Sequence, residues 1–248
     1  MGHSFSASYF ATHHSDGSYR LYELSSLEQL HEWVCSEGLD GFNVTLPFKT
    51  EIMAHLDTVD EEARLIGAVN CVEVTRCDGR LSLIGHNTDW QAFDETIEEP
   101  LHLSGLCRAD NSKALILGTG GAARAVTYAL QRRGIAYHTV SRQPERHSDL
   151  AAVDMRQALE MTSDHLIIVN ATPVGMHPNT EATPMHELGA IGPQHLCYDL
   201  IYNPSPTRWL EACHRRGATI CDGLAMLYRQ AELSHDIWTG TKNIFQRQ

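Results

Sequence analysis

Hydrophobic residues follow two different rhythms along the chain. Between residues 7 and 84, short alternating runs are mixed with helical spacings. Residues 19–24 and 41–45 alternate as strands do, while 27–37 places Leu27, Leu30 and Val34 on one side of a helix. Residues 68–74 and 81–84 read as two more strands, joined by a turn at Asp78-Gly79. A helix is predicted over 89–98 and stops at Pro100, and 101–112, with no clear period, reads as a connector.

Beyond residue 112 the pattern is cleaner. Residues 114–117 are wholly apolar, as a strand buried on both faces requires. Glycines follow, then a predicted helix over 122–133 closed by Gly134. Strands are predicted at 136–140, 166–169, 195–200 and 218–221, with a helix at 207–216 ending at Gly217 and a last helix at 224–238. Such alternation predicts an α/β fold whose second part is a Rossmann-like, doubly wound parallel sheet with right-handed crossovers. The last helix can leave that sheet and return to the N-terminal part.

The glycines carry the first chemistry. Gly118, Gly120 and Ala123 fit G-x-G-x-x-G/A, directly after an apolar strand and at the opening of a helix, which is the context the pattern requires. Gly118 permits the tight turn, Gly120 lets a pyrophosphate approach the backbone, and Ala123 is small enough for helix to pack on strand. The helix N-terminus offers free N–H groups to phosphate. A plain tight turn is the bland alternative. About 20 residues further on, where an acid holds the ribose of NAD, stand Ser141 and Arg142. An acid would repel a 2′-phosphate, whereas Arg142 can pair with one, so NADP(H) is the expected cofactor.

Composition narrows the classes. Of 248 residues 42% are apolar, enough for a sizeable core, and the net charge of −12 with no basic run argues against nucleic acid as a partner. No apolar run approaches the roughly 18 residues of a membrane span. The seven cysteines form no C-x-x-C pair, which supports neither zinc nor a thioredoxin-like motif, and with no secretory leader evident a reducing, cytoplasmic setting is expected. The fifteen histidines show no H-E-x-x-H spacing, and no metal is expected. Monomer and homodimer both remain open.

Several further motifs, in order along nearly the whole chain, resemble the shikimate dehydrogenase family. His3-Ser4-Phe5-Ser6 is similar to its H-S-x-S, and the run from Asn43 through Thr45 and Pro47 to Lys49 to its N-V-T-x-P-x-K. Gly67-Ala68-Val69-Asn70 resembles G-A-x-N, and Gly85-His86-Asn87-Thr88-Asp89 resembles G-x-N-T-D. Gly118 to Ala123 matches G-x-G-G-A-A, Asn170 to Met176 matches N-A-T-P-x-G-M, and Asp199 to Pro204 matches D-x-x-Y-x-P. Gly223 with Gln230 resembles the C-terminal G-x₆-Q.

The resemblance implies an enzyme that reduces 3-dehydroshikimate to shikimate with NADPH, reversibly, in aromatic amino acid biosynthesis. It implies a substrate-binding domain over 1–89, completed by 224–248, and an NADP-binding Rossmann domain over 105–223. Lys49 and Asp89 would be the catalytic pair. Ser4 and Ser6 would bind the substrate carboxylate, and Asn43, Thr45, Asn70, Tyr202 and Gln230 the ring or its hydroxyls. Gly118, Thr119, Gly120, Gly121 and Ala122 would hold the phosphates with Ser141 and Arg142, and Thr172, Leu200 and Gly223 would line the nicotinamide side. The family usually has a strand ahead of H-S-x-S, whereas here that motif directly follows Met1-Gly2, so either that strand is absent, which would leave the first sheet short, or the start is misassigned. The family's N-R-T is Ser141-Arg142-Gln143, which keeps only the arginine.

The chemistry suits these residue types. Reducing a ketone by hydride creates an alkoxide that needs a proton at once. A lysine can supply it, and take it back in reverse, when its pKa lies near the working pH; burial lowers that pKa and a carboxylate raises it. Lys49 is expected between a strand and a helix, and Asp89 at a helix start, where it could also serve as N-cap. Two other readings stay open: a quinate-preferring dehydrogenase using NAD, and a non-catalytic binding module on the same scaffold.

Overall fold

The computed structural model describes residues 18–106 and 112–240. Residues up to Leu39 form one unit and those from Asp40 onward another. In the first, helix α1 (Leu30–Glu37) buries Leu30 and Val34 and closes at Gly38 in the left-handed conformation. The strand expected over 19–24 is not formed. Its aromatic residue serves α1 instead: Tyr22 meets Trp33 edge-on at 5.0 Å, and its hydroxyl donates to Glu37 at 2.8 Å.

The larger unit contains two sheets. The first holds β1 (Gly41–Asn43), β2 (Thr58–Val59), β3 (Cys71–Cys77) and β4 (Arg80–His86) in the order β1-β3-β4-β2, with α2 (Glu61–Ile66) following β2. β3 and β4 are an antiparallel hairpin whose turn puts both Asp78 (φ 51°) and Gly79 (φ 76°) in the left-handed region, as a two-residue hairpin turn of this hand demands. Two helices lead out of it, α3 (Asp89–Thr96) and α4 (Glu98–Leu103). Pro100 does not stop the helical run as expected; it sits in the first turn of α4, where its missing N–H costs no hydrogen bond.

The second sheet is entirely parallel. It is built from β5 (Lys113–Leu117), β6 (Ala136–Val140), β7 (Ala152–Val153), β8 (Ile167–Asn170), β9 (Leu196–Asp199) and β10 (Thr219–Cys221), in the order β10-β9-β8-β5-β6-β7. Its connecting helices are α5 (Gly121–Arg132), α6 (Met155–Met161) and α7 (Arg208–Arg215), and α8 (Leu224–Thr239) follows β10. This is the doubly wound order, and strand direction of travel reverses between β5 and β8. Burial on both faces explains the unbroken apolar strands. Ala114, Ile116, Ile167, Val169, Leu196 and Tyr198 share one core with α3, α4, α5 and Met226 of α8. Leu115, Leu117, Ile168 and Cys197 share the other with Ala158 of α6 and Trp209, Leu210 and Cys213 of α7.

Helix α8 also reaches the first sheet. The Trp238 indole lies where a side chain on Gly41 would be, and its N–H donates to the Val72 carbonyl at 2.9 Å. No helix among the described residues is long and apolar enough to cross a membrane.

Candidate active site

The hairpin register creates the site. Cys71 pairs with His86, so the residues just outside the hairpin, Asn70 and Asn87-Thr88-Asp89, emerge side by side. Asn70 fastens the join: its carbonyl oxygen Oδ1 accepts the Thr88 N–H at 2.6 Å, and its amide donates to Thr88 Oγ1 and Asp89 Oδ1, both at 2.9 Å. Asp89 is the first residue of α3, yet its carboxylate caps no helical N–H. Asn87 does that work, accepting from Trp90 N at 3.2 Å while its amide donates to the Ala68 carbonyl at 2.8 Å. The expected N-cap position of Asp89 is therefore taken by Thr88, Asn87 accepts the first-turn N–H, and the second carboxylate oxygen of Asp89 is left for Lys49.

Lys49 lies in the turn between β1 and a short helical turn at Glu51–His55. Its carbonyl accepts the Val69 N–H at 2.7 Å, and the buried Ile52 anchors the helical turn beyond it. From there Lys49 Nζ donates to Asp89 Oδ2 at 2.5 Å; the two side chains are 15% and 7% exposed. The pair is thus shielded yet reachable from one side. Among the described residues no group of three or more His, Cys, Asp or Glu could hold a metal.

The expected substrate contacts gather unevenly. Asn43, at the end of β1, donates to Ser234 Oγ at 2.8 Å and to the Asn70 carbonyl at 3.2 Å. Gln230 joins the same network through its main chain, whose carbonyl accepts from Thr88 Oγ1 at 3.2 Å. Its side-chain amide donates within α8, to the Leu227 carbonyl at 3.0 Å. Thr45 is exposed, and Tyr202, beyond β9, is half-buried with its phenol pKa raised by that burial. Ser4 and Ser6 lie outside the described residues.

On the other side stands the glycine turn, at the carboxyl ends of the parallel strands. Gly118 has φ 110°, which favours glycine, and a Cβ on it would lie 3.0 Å from Thr172 Cγ2. A Cβ on Gly120 would meet nothing within 4 Å, so this N-cap residue of α5 fronts open space. Thr119 and Ala122 flank it, half-buried. Ser141 and Arg142 follow β6, and the Arg142 side chain is exposed. Thr172 donates to Asn170 Oδ1 at 2.7 Å, and Gly223 has its Cα against the Leu200 carbonyl, where a Cβ would fall 2.1 Å from the oxygen. Gly121 touches Lys49 directly. The turn and the ion pair are therefore neighbours.

A family model described as the shikimate dehydrogenase substrate binding domain matches residues 2–72. The shikimate dehydrogenase (NADP(+)) of Geobacillus kaustophilus is 36% identical over 215 residues, which is 82% of this chain and 74% of that one. The chain belongs to the shikimate dehydrogenase family. Solved structures of that family superpose on nearly all of it. Shikimate 5-dehydrogenase from Thermus thermophilus, in complex with NADP(H) and shikimate, gives a TM-score of 0.79 at 35% identity, covering 96% of this chain and 90% of that one. The quinate dehydrogenase of Corynebacterium glutamicum, in complex with NAD, gives 0.73 at 28% identity, covering 93% and 81%.

Three residues of this shikimate dehydrogenase family member carry the site's framework without having been given a role from sequence. Thr88 is buried and bridges Asn70 to α8. Ser234, fully buried, accepts from Asn43 and donates to the Gln230 carbonyl at 2.8 Å. Its place one helical turn beyond Gln230 was the available signal. Asp199, at the end of β9, accepts from Asn170 Nδ2 at 2.9 Å, Thr207 Oγ1 at 2.7 Å and Ile201 N at 3.0 Å. Burial pushes its pKa up to about 6 against those hydrogen bonds.

Proposed function

We propose that this chain reduces 3-dehydroshikimate to shikimate with NADPH, reversibly, as a cytoplasmic step of aromatic amino acid biosynthesis. The observation that carries the proposal is the shielded Lys49–Asp89 pair set against the glycine turn. Residues 1–89 with 224–248 serve the substrate, and 105–223 serve the cofactor.

The residues present suit a dinucleotide. Gly120 leaves room that a side chain would fill, at the mouth of a helix whose first N–H groups no side chain caps. Arg142, exposed after β6, would pair with a 2′-phosphate. When bound, NADPH supplies the hydride. Ser4 and Ser6 take the substrate carboxylate, while Asn43, Thr45, Asn70, Tyr202 and Gln230 take the ring and its hydroxyls. In this reading the carbonyl oxygen is presented to Lys49 Nζ. As the carbonyl carbon is reduced, Lys49 passes a proton to the oxygen, which stays on that carbon as the hydroxyl of the product. Asp89 can only accept, so it steers the ammonium and steadies it, and Lys49 regains its proton through its exposed side. In oxidation the same amine removes the hydroxyl proton. Six described cysteines have free thiols, in keeping with a reducing compartment.

The test follows the absorbance of reduced nicotinamide with shikimate and quinate, each with NADP and NAD. The highest kcat/KM is expected for shikimate with NADP. No turnover would sink the enzymatic reading, and a preference for quinate with NAD would sink the assignment of substrate and cofactor. Lys49→Ala should lower kcat by about 10²–10⁴, the range for a lost general acid/base, with a much smaller change in KM for shikimate. A folded Lys49→Ala protein with normal kcat would end the proton-transfer role.

A further inference from the structure

In the pattern G-x-G-x-x-G/A, Gly121 occupies a position that accepts any residue. Its backbone does not demand glycine either. It is the first residue of α5 and is not among the glycines with positive φ. What demands glycine here is space. A Cβ on Gly121 would lie 2.8 Å from Lys49 Cβ and 3.3 Å from Lys49 Cδ, with Ala68 Cβ at 3.4 Å. Gly120, one residue before, meets no protein atom within 4 Å. The two adjacent glycines therefore have separate reasons to be small: one faces the open approach for a phosphate, the other faces the lysine.

The nearest of these contacts is to Lys49 Cβ, which is tied to the backbone and cannot swing aside as a side-chain tip can. That backbone is held in turn, because the Lys49 carbonyl accepts the Val69 N–H at 2.7 Å. A methyl group at position 121 would tilt the lysine stem. A small tilt at Cβ grows along the stem, and Nζ would leave its 2.5 Å contact with Asp89 Oδ2. We infer that Gly121 is a positioning residue for Lys49: its bare Cα is the surface on which the lysine stem lies, and through it the nucleotide-binding turn sets the aim of the proton-carrying amine. The inference rests on the reading of Lys49 as that carrier.

The test compares Gly121→Ala with Gly120→Ala. Gly121→Ala should lower kcat at saturating NADPH about 10- to 100-fold, the scale of a misplaced reacting group, and by a larger factor than it weakens NADPH binding without substrate, followed by nicotinamide fluorescence. Gly120→Ala should instead weaken NADPH binding. Unchanged kcat in Gly121→Ala, or a loss confined to NADPH affinity, would overturn the inference, because the glycine would then serve the phosphate or nothing. A size swap reads the packing without activity. Gly121→Ala in a Lys49→Gly background meets no stem, so it should lower the melting temperature less there than in the otherwise unmutated protein. An equal loss in both backgrounds overturns the contact. Failure of the underlying reading looks different: Lys49→Ala would keep its kcat while Lys49→Gly still relieved the cost of Gly121→Ala.

Discussion

Replacing Asp89 by asparagine keeps the shape of the side chain and removes one charge and one acceptor. Both carboxylate oxygens are engaged, Oδ2 by Lys49 Nζ and Oδ1 by Asn70 Nδ2, and both partners are donors. An asparagine has one oxygen for the two of them. If its oxygen faces Asn70, its NH₂ meets the lysine ammonium; if flipped, its NH₂ meets the Asn70 NH₂. Either way a donor faces a donor. The loss of a hydrogen bond to a charged group is about 1.5–3 kcal/mol. Outright breaking of a fully buried ion pair reaches about 3–5 kcal/mol, but Lys49 retains 15% exposure and water relieves part of that. The lower range, at about 1.4 kcal/mol per decade, predicts a fall in kcat of roughly 10- to 100-fold. Steady-state kinetics and melting curves of Asp89→Asn, Lys49→Ala and the double variant check this. Because Asp89 acts through Lys49, the losses should not add, and Asp89→Asn should change little once Lys49 is gone. Full kcat in a folded Asp89→Asn, or losses that multiply, would refute the reasoning.

Arg142→Ala should weaken NADP by about tenfold and leave NAD nearly untouched, the low end for a charged hydrogen bond because solvent screens an exposed guanidinium; equal losses in measured Kd would remove it from 2′-phosphate recognition. Ser234→Ala removes one acceptor from the half-buried Asn43 amide and loosens its aim, which should raise KM for shikimate about two- to tenfold with NADPH affinity unchanged, and an unaltered KM would make the serine purely structural. His86 lies between Asp60 at 2.8 Å and Glu73 at 3.4 Å. Burial opposes its charged form, but the hydrogen bonds and charges of Asp60 and Glu73 outweigh it and raise its pKa from 6.5. A raised folded pKa gives stability that is complete below 6.5 and fades as pH rises through the folded value, so the melting temperature should fall across that window more steeply than in His86→Gln. Parallel slopes would deny the pairing.

The legibility of the fold in the sequence depends on which residues face a core on both sides. β8 and β9 are buried along their whole length and β5 from Ala114 on, so their apolar runs announce them, and the helix after the glycines carries its own alanine-rich face. Two of the elements that pattern alone missed bury almost nothing. α6 hides only Ala158, and β2 is two residues long at a sheet edge. α6 nevertheless had a readable start, because Asp154 and Gln157 form a reciprocal capping box, and Asp60 accepts the Ala63 N–H at 2.6 Å at the head of α2. Residues 19–24 misled for the opposite reason: alternation is also what a loop produces when one aromatic ring packs on a helix. At the site, Lys49 and Asp89 were legible through motifs, while Ser234 and Asp199 were not, because their work is to hold neighbours rather than to meet a ligand.

The separation of Lys49 and Asp89, 40 positions along the chain, is closed by two unrelated constraints. One is the hairpin. With Asp78 and Gly79 both left-handed at its tip, seven paired positions run back to Cys71 opposite His86, and a slip of one residue would turn Asn70 and Thr88 to opposite faces. The other is the helix next in the chain. α3 is clamped from two sides: Arg133 of the α5 C-cap holds Asp94 at 2.5 Å, and Glu98 at the start of α4 at 2.8 Å, while Arg229 of α8 holds Glu95 at 2.5 Å. Burial opposes the charge of each arginine, yet the paired carboxylates raise both pKa values. Asp89 therefore has its height set by the first sheet and its direction set by helices packed on the second. Lys49, resting on Gly121, receives its own placement from the same two sources. A pair assembled this way is aligned only when both sheets are in place, which, on the function proposed above, ties the readiness of the amine to the glycine turn.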